Sequence, residues 1–132
     1  MGERKRPVCT AEAFCDRRGR YPLVDFLEKQ DPRDRATVLN KIRIVLEMAR
    51  YQATHTIGRP LVDTLRGPIK ELRPTKKIRI LFSWEEDDSI MLLLEGDLKK
   101  NGTVDEAVIH RAAAYLAEWK VTKSSDPLGE IA

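Results

Sequence analysis

Residues 69–95, IKELRPTKKIRILFSWEEDDSIMLLLE, contain three short segments that are β-branched or aromatic in part. These segments, 69–73, 77–84 and 89–95, are separated by turn-like groups, of which the acidic run 85–88 is one. Alternate residues of a strand point to opposite faces of a sheet. In the second segment one face carries Ile78, Ile80 and Phe82, and the other carries Lys77, Arg79 and Leu81. The pattern predicts an antiparallel three-stranded meander.

Helices are predicted on the N-terminal side of the meander. After a short edge strand at residues 8–14, Pro22 suits a first helical position, and the apolar residues behind it share one helical face to about residue 30. Asp31 followed by Pro32 is a typical start of a second helix, in which apolar residues recur at helical spacing. Together these signals predict a two-helix hairpin.

The remaining segments complete an α+β domain. Residues 51–67 contain Gly and Pro and indicate a loop. Thr103 and Glu106 have the spacing of a capping box, and an apolar stripe follows them, which predicts a C-terminal helix. We therefore expect a single domain over residues 1–121 and a flexible tail over residues 122–132.

Composition sets bounds on function without defining it. Lys and Arg total 24 against 21 acidic residues, so the net charge of +3 permits a nucleic-acid partner but does not require one. Cys9 and Cys15 lack the further ligands of a zinc site, so we expect reduced thiols, no metal and no cofactor. We see no signal peptide, and the apolar run 90–94 is too short to span a bilayer. These features predict a cytoplasmic protein with no membrane partner.

Basic residues are concentrated between positions 66 and 79, where Glu71 is the only acid. They are Arg66, Lys70, Arg73, Lys76, Lys77 and Arg79. Arginine and lysine on a sheet bind phosphate, and neutralising phosphate charges releases counterions. We interpret Arg66, Lys70, Lys76 and Lys77 as candidates for binding nucleic-acid phosphates, and the resemblance described below implies that the nucleic acid is RNA. The alternative is an ordinary solvated face.

The order of three motifs resembles the RelE/HigB superfamily of toxins, in particular its phage-derived HigB-like branch. The motifs are LRGPIKELR at 65–73, IRILF at 78–82 and LLLEGDLKK at 92–100. Residues 18–27, RGRYPLVDFL, also resemble the start of the family's first helix. The resemblance covers roughly residues 14–117 and implies a RelE-like fold.

That resemblance implies the toxin of a type II toxin–antitoxin system, a metal-independent endoribonuclease that cuts mRNA, commonly on the ribosome. Its implied partners are mRNA, the ribosome and a helix-turn-helix antitoxin. The family's phosphate-binding and catalytic positions correspond to Arg73, Arg79, Lys99 and Lys100, with Glu71 in a supporting position. We expect the two arginines to be exposed on neighbouring strands.

The chain departs from the family pattern in two places, and alternatives follow. Glu95 and Asp97 stand where the family has His and Phe, which places two acids beside the lysine pair. Glu95 is therefore assigned a supporting role, and the general base is open between Glu71, Glu95 and a lysine. A non-catalytic RNA- or protein-binding module and a gyrase-inhibiting ParE-like toxin of the same fold are the alternative functions.

Overall fold

The computed structural model describes residues 8–99 and 102–131. In chain order the elements are β1 (Thr10–Phe14), α1 (Pro22–Glu28), α2 (Pro32–Met48), a 3₁₀ turn (Thr54–Thr56), β2 (Val62–Arg66), β3 (Ile69–Leu72), β4 (Ile78–Glu85), β5 (Ile90–Leu98), α3 (Glu106–Thr122), β6 (Ser125–Pro127) and α4 (Leu128–Ile131). The strands form one six-stranded sheet in the order β2-β3-β4-β5-β1-β6. The α+β class is confirmed.

The predicted meander forms β3, β4 and β5. These strands pair antiparallel, with Glu71 opposite Leu81 and Leu81 opposite Glu95. The alternation along β4 is as predicted, because Ile80 and Phe82 join the core beneath α1 and α2 while Leu81 joins the core beneath α3. The sheet is thus buried on both faces, as the middle layer of three.

The two-helix hairpin is also confirmed. Pro22 lies in the first turn of α1, and Leu23 and Leu27 are its buried residues. Helix α2 begins as its sequence signal predicts, because the Asp31 carboxylate accepts a hydrogen bond from the backbone N–H of Arg33. Capping a free N–H in this way typically contributes about 1 kcal/mol. Val38, Ile42 and Val45 face the sheet.

The prediction of a loop over residues 51–67 is wrong for its last part. Residues Val62–Arg66 form β2, which pairs antiparallel with β3 and extends the meander to four strands. Only Val62 of β2 is buried, and the sequence VDTLR lacks the apolar alternation that marks a strand. Pairing with β3 compensates for the weak local preference.

The strand β1 is internal, which corrects the edge strand predicted from its short sequence. It runs parallel to β5, from Thr10 opposite Ile90 to Ala13 opposite Leu93. On its other side it pairs antiparallel with β6, where Phe14 lies opposite Ser125. The prediction missed this position because both neighbours are distant in the sequence.

The segment predicted as a flexible tail instead forms β6 and α4 in the structure. Ser125 donates a hydrogen bond to Glu12 of β1 at 2.6 Å and accepts one from the Trp119 indole at 3.0 Å. Tyr21 donates to Asp126 at 2.5 Å, and this bond raises the pKa of Tyr21 to about 12. Side-chain bonds from β1, from α3 and from Tyr21, just before α1, thus hold β6 at the edge of the sheet.

Helix α3 packs on the face of the sheet opposite α1 and α2. Val108, Ala112, Leu116 and Trp119 fill the core on this side. The helix begins at Glu106, and its cap is Asp105, which accepts from the backbone N–H of Ala107. The capping box predicted from Thr103 is therefore wrong by two positions, because a nearer carboxylate takes that role.

Candidate functional site

A cleft of about 280 Å³ opens where the outer strands of the sheet meet the start of α3. We call it the arginine cleft. Its charged lining residues are Asp63, Arg66, Glu71, Arg73, Arg79, Lys99 and Glu106. They come from five parts of the chain: β2, the end of β3, β4, the residue after β5, and α3. The cleft brings Arg73, Arg79 and Lys99 together, although 26 positions separate the first from the last.

Arg73 follows the last residue of β3 and is held by two acids. Its Nε donates to Glu71 at 2.9 Å, and its Nη2 lies 3.4 Å from a carboxylate oxygen of Asp63. The Arg73 side chain is 30% exposed, whereas that of Glu71 is only 7% exposed. The guanidinium thus keeps an accessible side toward the cleft while it neutralises a buried carboxylate.

Arg79 is buried, which corrects the expectation that it is exposed. It is 5% exposed, and its Nη1 donates to the carbonyl oxygens of Thr75 and Ile78, both at 2.8 Å. In the sheet it stands opposite Asp97 of β5. Arg79 lies on the side of β4 that α3 covers, so its side chain is removed from water. The two carbonyl groups replace part of its lost hydration.

Arg66 forms an ion pair with Glu106 across the mouth of the cleft. Its two terminal nitrogens donate to the two carboxylate oxygens of Glu106 at 2.8 and 2.7 Å, a two-point contact that suits the guanidinium fork. Arg66 lowers the pKa of Glu106, which favours its ionised form. This contact spans from β2 to the first turn of α3.

The other lysines predicted to bind RNA lie outside the lining of the cleft. Lys70 donates to the hydroxyl of Thr64, and Lys76 is exposed in the β3–β4 turn. Lys77 lies 3.7 Å from Asp34 of α2, toward the other face of the sheet. It precedes the first residue of β4, so the strand alternation used to place it beside Arg79 does not apply there. Lys99 lines the cleft, whereas Lys100 lies outside the described residues.

The two supporting acids are in different places. Glu71 lines the arginine cleft, but Glu95 lines a separate cavity on the opposite flank of α3. Glu95 accepts from the Gly96 backbone N–H at 3.1 Å and from Arg111 at 3.2 Å. Burial nevertheless raises the pKa of Glu95, and the nearby Asp97 acts in the same direction.

The cleft is closer to neutral than the local sequence indicates. Two acids that lie outside positions 66–79, Asp63 and Glu106, pair with its arginines. Arg59, three residues before the start of β2, also binds Asp63 and lowers the pKa of Asp63. Sequence reasoning missed Asp63 because β2 was not predicted. The one sequence signal for Asp63 is that an acidic residue precedes the basic segment at positions 66–79.

Other chemistries find little support among the described residues. Over positions 8–99 and 102–131, no three His, Cys, Asp or Glu side chains are grouped so that they could hold a metal ion. Cys9 and Cys15 are free thiols. His110 is exposed and lies 3.9 Å from Glu106. Within the same residues, no helix combines the length and apolar character that crossing a membrane requires.

The geometry defines a small α+β domain with a three-layer core and a cleft of paired charges beside the start of α3. Residues 25–116 match the family model described as "Phage derived protein Gp49-like (DUF891)", and the chain belongs to this family. This is a RelE-like family associated with toxin–antitoxin systems. No curated protein matches the chain.

Proposed function

We propose that the protein is the toxin of a type II toxin–antitoxin system and belongs to the HigB-like branch. It cleaves mRNA bound to the ribosome, in the cytoplasm, and is neutralised by a helix-turn-helix antitoxin. The observation that carries the proposal is the convergence of Arg73, Arg79 and Lys99 on one cleft, in a chain of a RelE-like family. By the resemblance to the RelE/HigB superfamily, the same positions correspond to its phosphate-binding motifs.

RNA cleavage of this type uses the nucleophile that the substrate carries. The ribose 2′-hydroxyl attacks the adjacent phosphorus, the leaving ribose oxygen takes a proton, and negative charge grows on the phosphate oxygens. Arg73 offers an accessible guanidinium to those oxygens. Lys99 has no ion-pair partner among the described residues, so it is free to hold the strand or to protonate the leaving group. Lys100 shares this role by its motif.

Glu71 is our candidate for the general base. It lines the same cleft as Arg73, whereas Glu95 does not. In the free protein its carboxylate accepts from Arg73 at 2.9 Å. When a phosphate draws the guanidinium away, the Glu71 oxygen that bonded Arg73 becomes accessible to the 2′-hydroxyl proton. Phosphate binding and activation of the base are thereby coupled through one arginine.

Arg79 acts as a positioning residue in this proposal. Its guanidinium fixes the carbonyls of Thr75 and Ile78, in and beside the turn that follows Arg73. Its charge, buried behind the cleft, also adds to the positive potential there. No resident metal or cofactor enters the scheme.

A second candidate, the non-catalytic binding module, is favoured by one observation. Arg66 and Arg73 are already bound to carboxylates, and Arg79 to carbonyls, so each would have to leave its partner before it could stabilise the charge that grows on a reacting phosphate. In that case the cleft would bind RNA or a protein without cutting.

The test compares substitutions of two cleft residues, the candidate proton donor and the candidate base. Lys99→Ala and Glu71→Gln should each lower cleavage on the order of a hundredfold, as loss of one transition-state contact does. Lys41→Ala on α2, on the other side of the sheet, is the matched control and should stay active. Message ends are mapped in a translating ribosome system, with growth arrest as a second readout and circular dichroism as the folding control.

Each result has one interpretation. Cleavage by the native chain that both cleft variants lose supports the assigned site. If the Lys99→Ala and Glu71→Gln proteins fold and cleave RNA at the native rate, the active site lies elsewhere. A native chain that binds RNA without new message ends would favour the binding module, and DNA damage without RNA cleavage would favour a gyrase inhibitor.

A further inference from the structure

A second cavity lies on the flank of α3 opposite the arginine cleft, and its volume of about 350 Å³ exceeds that of the cleft. We call it the Glu95 pocket. Its lining includes Arg20, Phe26, Lys29, Glu95, Arg111 and Tyr115. The volume is in the range of pockets that hold small ligands, roughly 300–1,000 Å³. The cleft chemistry proposed above does not use it.

The pocket forms where β5 extends beyond the end of its neighbour β1. The pairing of β1 with β5 ends at Leu93, so β5 continues past the end of β1 with one edge uncovered. Helix α1 and helix α3 approach this gap from the two faces of the sheet. Gly96 is essential to its shape, because a Cβ atom there would lie 2.2 Å from the Phe26 ring. The missing side chain lets the aromatic ring lie directly against β5.

Three kinds of groups meet in the pocket. Phe26 and Tyr115 supply aromatic rings, and the other side of the Tyr115 ring is stacked on Phe14 at a centroid distance of 5.1 Å. Arg20 and Lys29 supply cations that form no ion pair within the described residues. Glu95 supplies a carboxylate whose side chain is 11% exposed, and Asp16 and Asp25 add two more carboxylates to the lining. Ring, cation and carboxylate are the parts that bind a base and its phosphate.

The Glu95 carboxylate has hydrogen-bonding capacity that discriminates among bases. Each oxygen of Glu95 accepts one hydrogen bond in the free protein, from Gly96 or from Arg111, and each retains a second lone pair. Guanine alone places two adjacent donors, its ring N–H and its exocyclic amine, on its Watson–Crick edge. Adenine, cytosine and uracil each place an acceptor beside their donor, and that acceptor would face the buried carboxylate.

We propose that the Glu95 pocket binds a guanine nucleotide of single-stranded RNA and so sets the sequence preference of the toxin. Phe26 stacks on the base, the Glu95 carboxylate accepts its two donors, and Arg20 or Lys29 holds the adjoining phosphate. This inference rests on the proposed function for its biological role, but binding itself is independent of cleavage. By the resemblance, Glu95 stands where the family motif has histidine.

The experiment measures binding of the four ribonucleoside monophosphates to the purified full chain by calorimetry, with chemical-shift mapping of the pocket. Guanosine monophosphate should bind roughly tenfold or more tightly than the other three, as expected for one good two-point base contact. Glu95→Gln should abolish the preference, because an amide presents one donor and one acceptor. Phe26→Leu should weaken all nucleotides alike. Glu28→Gln, an exposed residue of α1 outside the pocket, is the charge-matched control.

Several results would overturn the proposal: equal affinities for the four nucleotides, no binding at millimolar concentration, shifts outside the pocket, or a guanine preference that survives Glu95→Gln. If Glu95→Gln fails to fold, Phe26→Leu and the shift map decide alone. A chain that binds guanosine monophosphate in the pocket but cuts no RNA would refute only the proposed function. A chain that cuts RNA but lacks this binding would refute only the pocket.

Discussion

Replacing Arg79 by alanine is expected to destabilise the protein, in contrast to replacing an ordinary surface arginine. The side chain is 5% exposed, and its Nη1 donates to two carbonyl oxygens at 2.8 Å. Alanine would leave both carbonyls without this donor. The bond to Ile78 is buried, and the bond to Thr75 is partly buried.

The magnitude follows from these two bonds. A buried acceptor that loses its partner costs about 1–3 kcal/mol, and a partly buried hydrogen bond contributes about 0.5–1.5 kcal/mol. We therefore expect Arg79→Ala to lower the free energy of unfolding by about 2–4 kcal/mol. Exposed arginines contribute little when removed, so Arg43→Ala on the exposed side of α2 should change it by less than about 0.5 kcal/mol.

Urea denaturation followed by circular dichroism measures both variants. The midpoint should fall for Arg79→Ala with little change in slope, because the same surface is exposed on unfolding. A loss below about 0.5 kcal/mol would refute the structural role of Arg79, because surface substitutions commonly give changes of that size. Loss of activity in Arg79→Ala must accordingly be judged on the folded fraction.

Three further predictions concern other parts of the molecule. Gly96→Ala should cost about 1–3 kcal/mol, because its Cβ would lie 2.2 Å from Phe26; an unchanged urea midpoint would contradict this close approach. The folded-state pKa of Glu95 is raised above 4.5, so its contribution to stability is greatest below the unfolded pKa and declines as pH rises through the folded one. The stability of Glu95→Gln relative to the native chain should therefore increase over that window, and a pH-independent difference would speak against a buried carboxyl. Burial raises the pKa of Cys9 to about 11, so iodoacetamide near pH 8 should label Cys15 faster than Cys9 in the folded protein and both equally in urea; fast labelling of Cys9 in folded protein would show that its thiol is accessible.

The sequence predicted those elements whose stability is local. The Asp31–Pro32 start of α2 and the alternation of β4 side chains around Leu81 both depend on neighbours within a few residues, and both are confirmed. The strand β2 and the internal position of β1 depend on pairing with distant segments. Such pairing overrides local preference, and one sequence gives no direct signal for it.

The same distinction applies to the candidate site. The motifs predicted that Arg73 and Lys99 belong together, and both line the arginine cleft. They did not predict the ionic partners, because Asp63 lies on the missed strand β2 and Glu106 lies in α3. They also did not predict that Arg79 is buried, since alternation gives the face of a residue but not what covers that face. The catalytic roles of these residues stay predictions.

The position of β1 between β5 and β6 has a consequence for how the chain reaches its native state. Thr10 pairs with Ile90, and Glu12 is bonded to Ser125 across 113 positions of sequence. Such pairings close long loops, which makes them slow to form compared with the hairpins between β2 and β5. A chain ended before Ser125 would present the free edge of β1 to other molecules and invite strand-to-strand aggregation. A chain truncated in this way is therefore expected to lose solubility before the structure of the arginine cleft is affected.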